Sequence, residues 1–124
     1  MQQEKLLYAY TRKQALKDGM QHLLNGELTK EAGYKYPVII TNTILNLIEL
    51  SIKNTICDFE GIVWDILHMS KLGKKLSEDT VKFQVYISMS NTKKPKLFTF
   101  FAQCGALDID DPSPCITIMT SEDL

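Results

Sequence analysis

The hydrophobic pattern of this chain changes period once, and that change separates a helical first part from a β-rich last part. The longest helical pattern is Glu60 to Leu76, EGIVWDILHMSKLGKKL, which also holds the single tryptophan. Apolar residues recur there at Ile62, Ile66, Met69 and Leu76, with Val63 and Leu67 beside them, the three-or-four spacing that lays one helix face on a core. Lys71, Lys74 and Lys75 gather at its far end, where positive charge suits the negative pole of the helix dipole. Ahead of it, Ile44, Leu45, Leu47, Ile48 and Ile52 keep helical spacing from Asn42 to Asn54, with Thr41 as N-cap. The preceding Val38-Ile39-Ile40 reads either as a short buried strand or as the apolar entry to this helix, and the entry is preferred. Joined only by Thr55 to Phe59, the two helices are expected to pack antiparallel or at a steep angle.

Shorter pieces come first. Thr11 is the expected N-cap of a helix from Arg12 to Lys17 that Gly19 stops. Met20 to Leu24 is an apolar patch around His22, Asn25-Gly26 reads as a turn, and a second short helix begins at Thr29 and stops at Gly33. After Ser77-Glu78-Asp79 the period becomes two. Val81, Phe83, Val85, Ile87 and Met89 alternate with Lys82, Gln84, Tyr86 and Ser88, a strand with one buried face. Ser90 to Pro95 is a polar turn, Lys96 to Cys104 a second strand, and Cys115 to Thr120 a third after a loop from Gly105 to Pro114. The expectation is one α+β domain over residues 1–124. Helices in the N-terminal two thirds pack on a C-terminal antiparallel sheet of about three strands.

Composition narrows the class. With 124 residues, 44% hydrophobic and 23% charged, the chain can bury a core of its own. A net charge of -1 argues against wholesale binding to nucleic acid or anionic membrane. Cys57, Cys104 and Cys115 are odd in number and widely spaced, so neither a disulfide framework nor a zinc site is indicated. Cys104 and Cys115 flank one loop and approach each other if their strands pair. The polar start, Gln2, Gln3 and Glu4, and the absence of a membrane-length apolar run place the protein in the cytoplasm.

Charge is unevenly distributed. Lysine is frequent from Lys71 to Lys96, whereas from Cys104 onward the chain carries Asp108, Asp110, Asp111, Glu122 and Asp123 and no basic residue. The DIDD run, Asp108 to Asp111, has hard oxygen ligands but lacks the glycine and distal glutamate of an EF-hand loop, so no metal or other cofactor is assigned. Those carboxylates offer a negative edge to a basic partner surface; ordinary loop solvation is the simpler reading. Lys93, Lys94 and Lys96 with Tyr86 form a weak nucleic-acid-binding pattern of bases and an aromatic, and lysines that guard a strand edge explain it as well. Asp65 and His68, three positions apart on one helix face, are the germ of an acid–base pair. No nucleophile stands in register with them, and no HExxH, GxSxG or glycine-rich phosphate loop is present. The expectation is a protein that is not an enzyme.

Four stretches carry a resemblance: YTRKQALKDG from Tyr10, EAGYKYPVIIT from Glu31, GIVWDILHM from Gly61 and the terminal CGALDIDDPSPCITIMTSED. In order and spacing they resemble an uncharacterised family of small bacterial proteins, commonly carried on plasmids, phages and integrative elements. The shared positions are aromatics, glycines, prolines and the Trp64-Asp65 pair. The Cys-Gly-Pro-Gly-Asp type of turn of that family is replaced here by Cys104, Gly105, Ala106, Leu107 and Asp108. The resemblance implies a mobile-element accessory protein, and small proteins of such elements often bind and block host defence machinery. The expected function is therefore binding and inhibition of a bacterial defence factor such as a CRISPR effector nuclease. Asp108, Asp110, Asp111, Glu122 and Asp123 would compete for a basic groove that normally holds phosphates.

Overall fold

Thr11 opens the first helix as its sequence context predicts. In the computed structural model, which describes residues 11–123, the Thr11 hydroxyl accepts the Gln14 N–H at 3.0 Å. The Gln14 side chain in turn accepts the Thr11 N–H at 3.3 Å, a reciprocal capping box. Helix α1, Arg12–Lys17, ends before Gly19, whose φ of +76° is the left-handed conformation glycine adopts without strain. The apolar patch that follows is a strand, β1, Gln21–Leu23. Helix α2, Gly26–Glu31, starts earlier than Thr29, because Asn25 caps it by accepting the Glu27 N–H at 2.8 Å rather than forming a free turn.

Val38-Ile39-Ile40 is not a helix entry. It forms strand β2, Val38–Thr41, with Val38, Ile39 and Ile40 at most 1% exposed. Val38 and Ile40 face the main core and Ile39 the opposite side, so the run shows no polar alternation. Helices α3, Asn42–Asn54, and α4, Phe59–Ser70, follow. Asp58 caps α4 by accepting the Gly61 N–H at 2.8 Å. Ile62, Val63, Ile66 and Leu67 are buried as their spacing predicts, while Trp64 is 39% exposed. The helix stops at Ser70, short of the expected Leu76; Lys74–Lys75 is instead a short strand, β3.

Strands β4, Thr80–Ile87, β5, Lys96–Asp108, and β6, Asp111–Met119, complete the sheet, and Ser121–Asp123 forms a 3-10 turn. The order is β1-β2-β6-β5-β4-β3, with β2 and β6 parallel and every other pair antiparallel. The fold is α+β, but the three-stranded antiparallel sheet expected from sequence is corrected to a six-stranded mixed one. Strands β1 and β3 are too short to show a period, and the expected loop 105–114 is largely paired strand.

One sheet face carries Val38, Ile40, Phe83, Val85, Ile87, Phe100, Ala102 and Ile118, packed with Ile44, Ile48 and the α4 stripe. Each such large apolar side chain contributes about 1.5–3 kcal/mol on burial. Phe100 is the centre of an aromatic row, edge-on to Phe83 at 5.9 Å and stacked on Phe98 at 6.1 Å between ring centroids. On the opposite face, Ile39, Cys115 and Thr117 are buried toward the β2–β6 end, where α1 contacts β1 and β5. Lys82, Gln84 and Tyr86, at the β4 end of that face, are exposed. No described helix is long and apolar enough to cross a membrane.

Candidate functional site

The β5–β6 hairpin ends in the acidic run. Asp108 is paired with Asp111 after a register shift at Ala106, and Ile109 and Asp110 form the turn between them. The Asp108 carboxylate accepts the backbone N–H groups of Arg12 at 3.1 Å, Lys13 at 3.0 Å and Ile109 at 2.8 Å. Arg12 closes the joint from the other side. Its Nε donates to the Leu107 carbonyl at 2.8 Å and its guanidinium also donates to the Gln21 side chain at 2.9 Å. These N–H groups hold the Asp108 carboxyl below the ordinary aspartate range, Ile109 first, then Lys13, with the Arg12 charge a smaller contribution. Asp111 is held down in the same direction by Ser113, hydroxyl first and backbone N–H second, against the charge of Asp108. The Ser113 N–H reaches its carboxylate at 2.9 Å.

What the tip presents outward is therefore Asp110, which is exposed, and Ile109, which is 59% exposed. A cavity of about 320 Å³ lies beside them, lined by Arg12, Gln21, Ala106, Leu107, Asp108 and Ile109. Sequence reasoning missed Ile109, although an apolar residue between aspartates was the available signal.

Glu122 and Asp123 do not join this tip. They lie beyond the far end of β6, whose nine residues separate the two acidic groups by about 30 Å at the usual strand rise. Asp123 is itself occupied. Its carboxylate accepts the Thr41 hydroxyl at 2.7 Å, the Thr43 hydroxyl at 3.0 Å, and the Thr120 N–H and hydroxyl at 2.9 and 3.0 Å. Partial burial pushes this carboxyl up, but the hydrogen bonds, led by the Thr120 N–H, outweigh it and hold the group below its ordinary value. Glu122 is exposed on the 3-10 turn.

The lysine and tyrosine group is also divided. Lys93 and Lys94 are exposed in the β4–β5 loop. Lys96 pairs with Ile87, on the helix-facing side, and its Nζ sits 5.6 Å from the Phe98 ring centroid. Tyr86 pairs with Leu97 and points to the opposite face. The basic residue that shares that face with Tyr86 is Lys82, four positions earlier in the alternation.

Asp65 and His68 are both exposed on the outer side of α4, opposite its buried stripe, and line none of the cavities described here. The His22 ring lies 3.2 Å from the Asn42 side-chain oxygen. Cys104 and Cys115 are neighbours in register, Cys115 opposite Gly105, but they point to opposite faces, one exposed and the other buried. Burial raises the Cys115 thiol above its ordinary value. Among the described residues no cluster of three or more His, Cys, Asp or Glu side chains is placed to hold a metal ion. No protein-family model matches this chain, and no curated protein or solved structure is significantly similar to it.

Proposed function

We propose that this chain is a non-enzymatic, mobile-element accessory protein that binds and inhibits a bacterial defence factor such as a CRISPR effector nuclease, with the β5–β6 hairpin tip as its central contact. The observation that supports this reading is the preorganisation of the tip. Asp108 and Asp111 are spent on internal hydrogen bonds that fix the turn, leaving an apolar side chain, Ile109, next to a free carboxylate, Asp110. A rigid loop that carries both loses little conformational entropy on docking, and its carboxylate complements a basic surface. Glu122, beyond the far end of β6, stands apart from this contact.

The test is phage plating on cells armed with a CRISPR effector. Native protein should restore plating, and Ile109→Ser combined with Asp110→Lys should abolish the effect while leaving the fold intact. A variant that protects phage as well as the native chain, or a native chain inactive against every effector tried, sinks this reading.

A second reading, nucleic-acid binding, draws support from the face shared by Lys82 and Tyr86, with Tyr86 65% exposed. It requires affinity for single strands that falls steeply with salt, and Tyr86→Ala should remove it.

A further inference from the structure

The sheet has one long strand whose outer side is only partly covered. Strand β3 pairs with β4 at Val81 and Lys82 alone, Gly73 before it lies against Lys82 and Phe83, and among the described residues no strand lies on the outer side of β4 from Gln84 to Ile87. The Leu76 N–H donates to the Thr80 carbonyl at 2.8 Å, so the Thr80 backbone faces β3. Antiparallel alternation then turns the backbone groups of Lys82, Gln84 and Tyr86 to the same outer side, while those of Phe83 and Val85 face β5. Lys82 is met by β3; Gln84 and Tyr86 present N–H and C=O groups in line with it. Such an edge is a template for another strand.

Two further features lie along this edge. A groove of about 440 Å³ has Met69, Leu72, Gly73, Lys74, Lys82 and Gln84 among its lining residues, and Leu72 is 67% exposed. At the head of the groove, Lys74 and Lys82 are directly opposed across the β3–β4 pair. Like charges in that position repel unless an anion lies between them. Lys75, next in β3, is exposed, whereas the Lys71 ammonium is placed over the Tyr34 ring, 4.9 Å from its centroid. The acids of the β3–β4 turn are Glu78 and Asp79, and Asp79 is engaged by the Ser77 and Thr80 hydroxyls at 2.9 and 3.1 Å. The uncovered part of β4 carries no charge of its own.

We propose that an extended acidic segment of a partner protein adds to the sheet as a further strand at the β4 edge, its backbone paired with Gln84 and Tyr86 and its carboxylates set against Lys74 and Lys82. An apolar side chain of the segment fits the groove beside Leu72 and Met69. This surface is separate from the hairpin tip, so either contact stands without the other.

The probe is a short synthetic peptide of alternating valine and glutamate, added to the full chain, with amide hydrogen exchange read residue by residue. The Gln84 and Tyr86 amides should exchange at least about tenfold more slowly with peptide. The same peptide with proline at alternate positions should bind about tenfold more weakly, because it cannot pair. Lys74→Glu with Lys82→Glu should lose the valine–glutamate peptide and gain a valine–lysine one, a charge swap that unfolding cannot imitate. Unchanged exchange at both amides, or equal binding of the proline peptide, overturns the proposal. So does protection that rises with protein concentration alone, which would make the occupant a second copy. Equal protection by oligothymidylate would make it a nucleic acid and overturn the proposal as well.

Discussion

Asp108 accepts the backbone N–H of Arg12 at 3.1 Å, a contact across 96 positions of sequence. With Lys13 as the second donor, one carboxylate satisfies two N–H groups of the first turn of α1 that no helical carbonyl can reach. Negative charge there also complements the helix dipole. The hairpin tip and α1 are thus one mechanical unit. The unit is held by the side chain that the sequence marks as a contact residue.

Asp108→Ala should lower the melting temperature, and Asp108→Asn, which keeps one acceptor, should lower it less. The folded carboxyl titrates below its ordinary value. Its stabilising effect is therefore complete above the unfolded aspartate pKa and is lost as pH falls through the folded one. Melting curves of native and Asp108→Ala protein should converge as the pH is lowered through that window. A gap that stays constant with pH would mean that the ionised carboxylate is not what holds the joint.

Asp123 does the same work at the other end of β6, gathering Thr41 and Thr43 at the start of α3 and Thr120 beside it. Asp123→Ala leaves three hydroxyl groups and one N–H to water. A loss of about 1–2 kcal/mol is expected in urea unfolding, kept modest because the carboxyl is largely exposed. Its folded pKa is also depressed, so this contribution too disappears as pH falls through it. An Asp123→Ala chain as stable as the native one at neutral pH would remove this role.

Local signals were readable where they were self-contained. Thr11, Gln14 and Gly19 define α1 within a few residues of each other, and the α4 stripe needs only its own spacing. Strand β2 was readable only as the lesser of two alternatives, because a strand covered on both faces shows no alternation and its apolar run abuts a helix pattern. Strand β3 exists only through its pairing with β4. Pro112 and Pro114 made the first half of β6 look like loop, since proline cannot donate to a ladder. That hidden length put the five acids into one apparent group when β6 holds them apart. Tyr86 and Lys96 illustrate the same limit: which face each takes follows from the β4–β5 register, and register belongs to the pair of strands.

The two faces of the β4–β5 hairpin should respond differently to truncation of an aromatic. Phe100 is 1% exposed between Phe83 and Phe98. Phe100→Ala should cost about 3–5 kcal/mol in chemical unfolding, the usual range for emptying a core aromatic site. Tyr86→Ala, on the exposed face, should stay within about 0.5 kcal/mol of the native chain. Equal losses at the two positions would show that the outer face is covered.

Gly73 should not tolerate a methyl group without a shift of the backbone beside it. A Cβ built there would lie 2.6 Å from the Lys82 carbonyl oxygen, 2.6 Å from a Val81 methyl and 2.8 Å from the Phe83 Cβ. The carbonyl and the Cβ belong to the body of β4, so neither can swing aside as the end of a lysine would. The segment leading into β3 must move away instead, and the opposed Lys74–Lys82 pair moves with it. Gly73→Ala should therefore destabilise the chain by about 1–3 kcal/mol. Faster exchange of the Leu76 amide, which donates to Thr80, should accompany the loss. Gly26 is the control, because a Cβ there meets nothing within 4 Å. At the first position of α2, Gly26→Ala should be neutral or stabilising by up to about 1 kcal/mol. A Gly73→Ala chain with native stability and an equally protected Leu76 amide would show that β3 is free to shift, and the close approach of Gly73 to β4 would then have no energetic consequence.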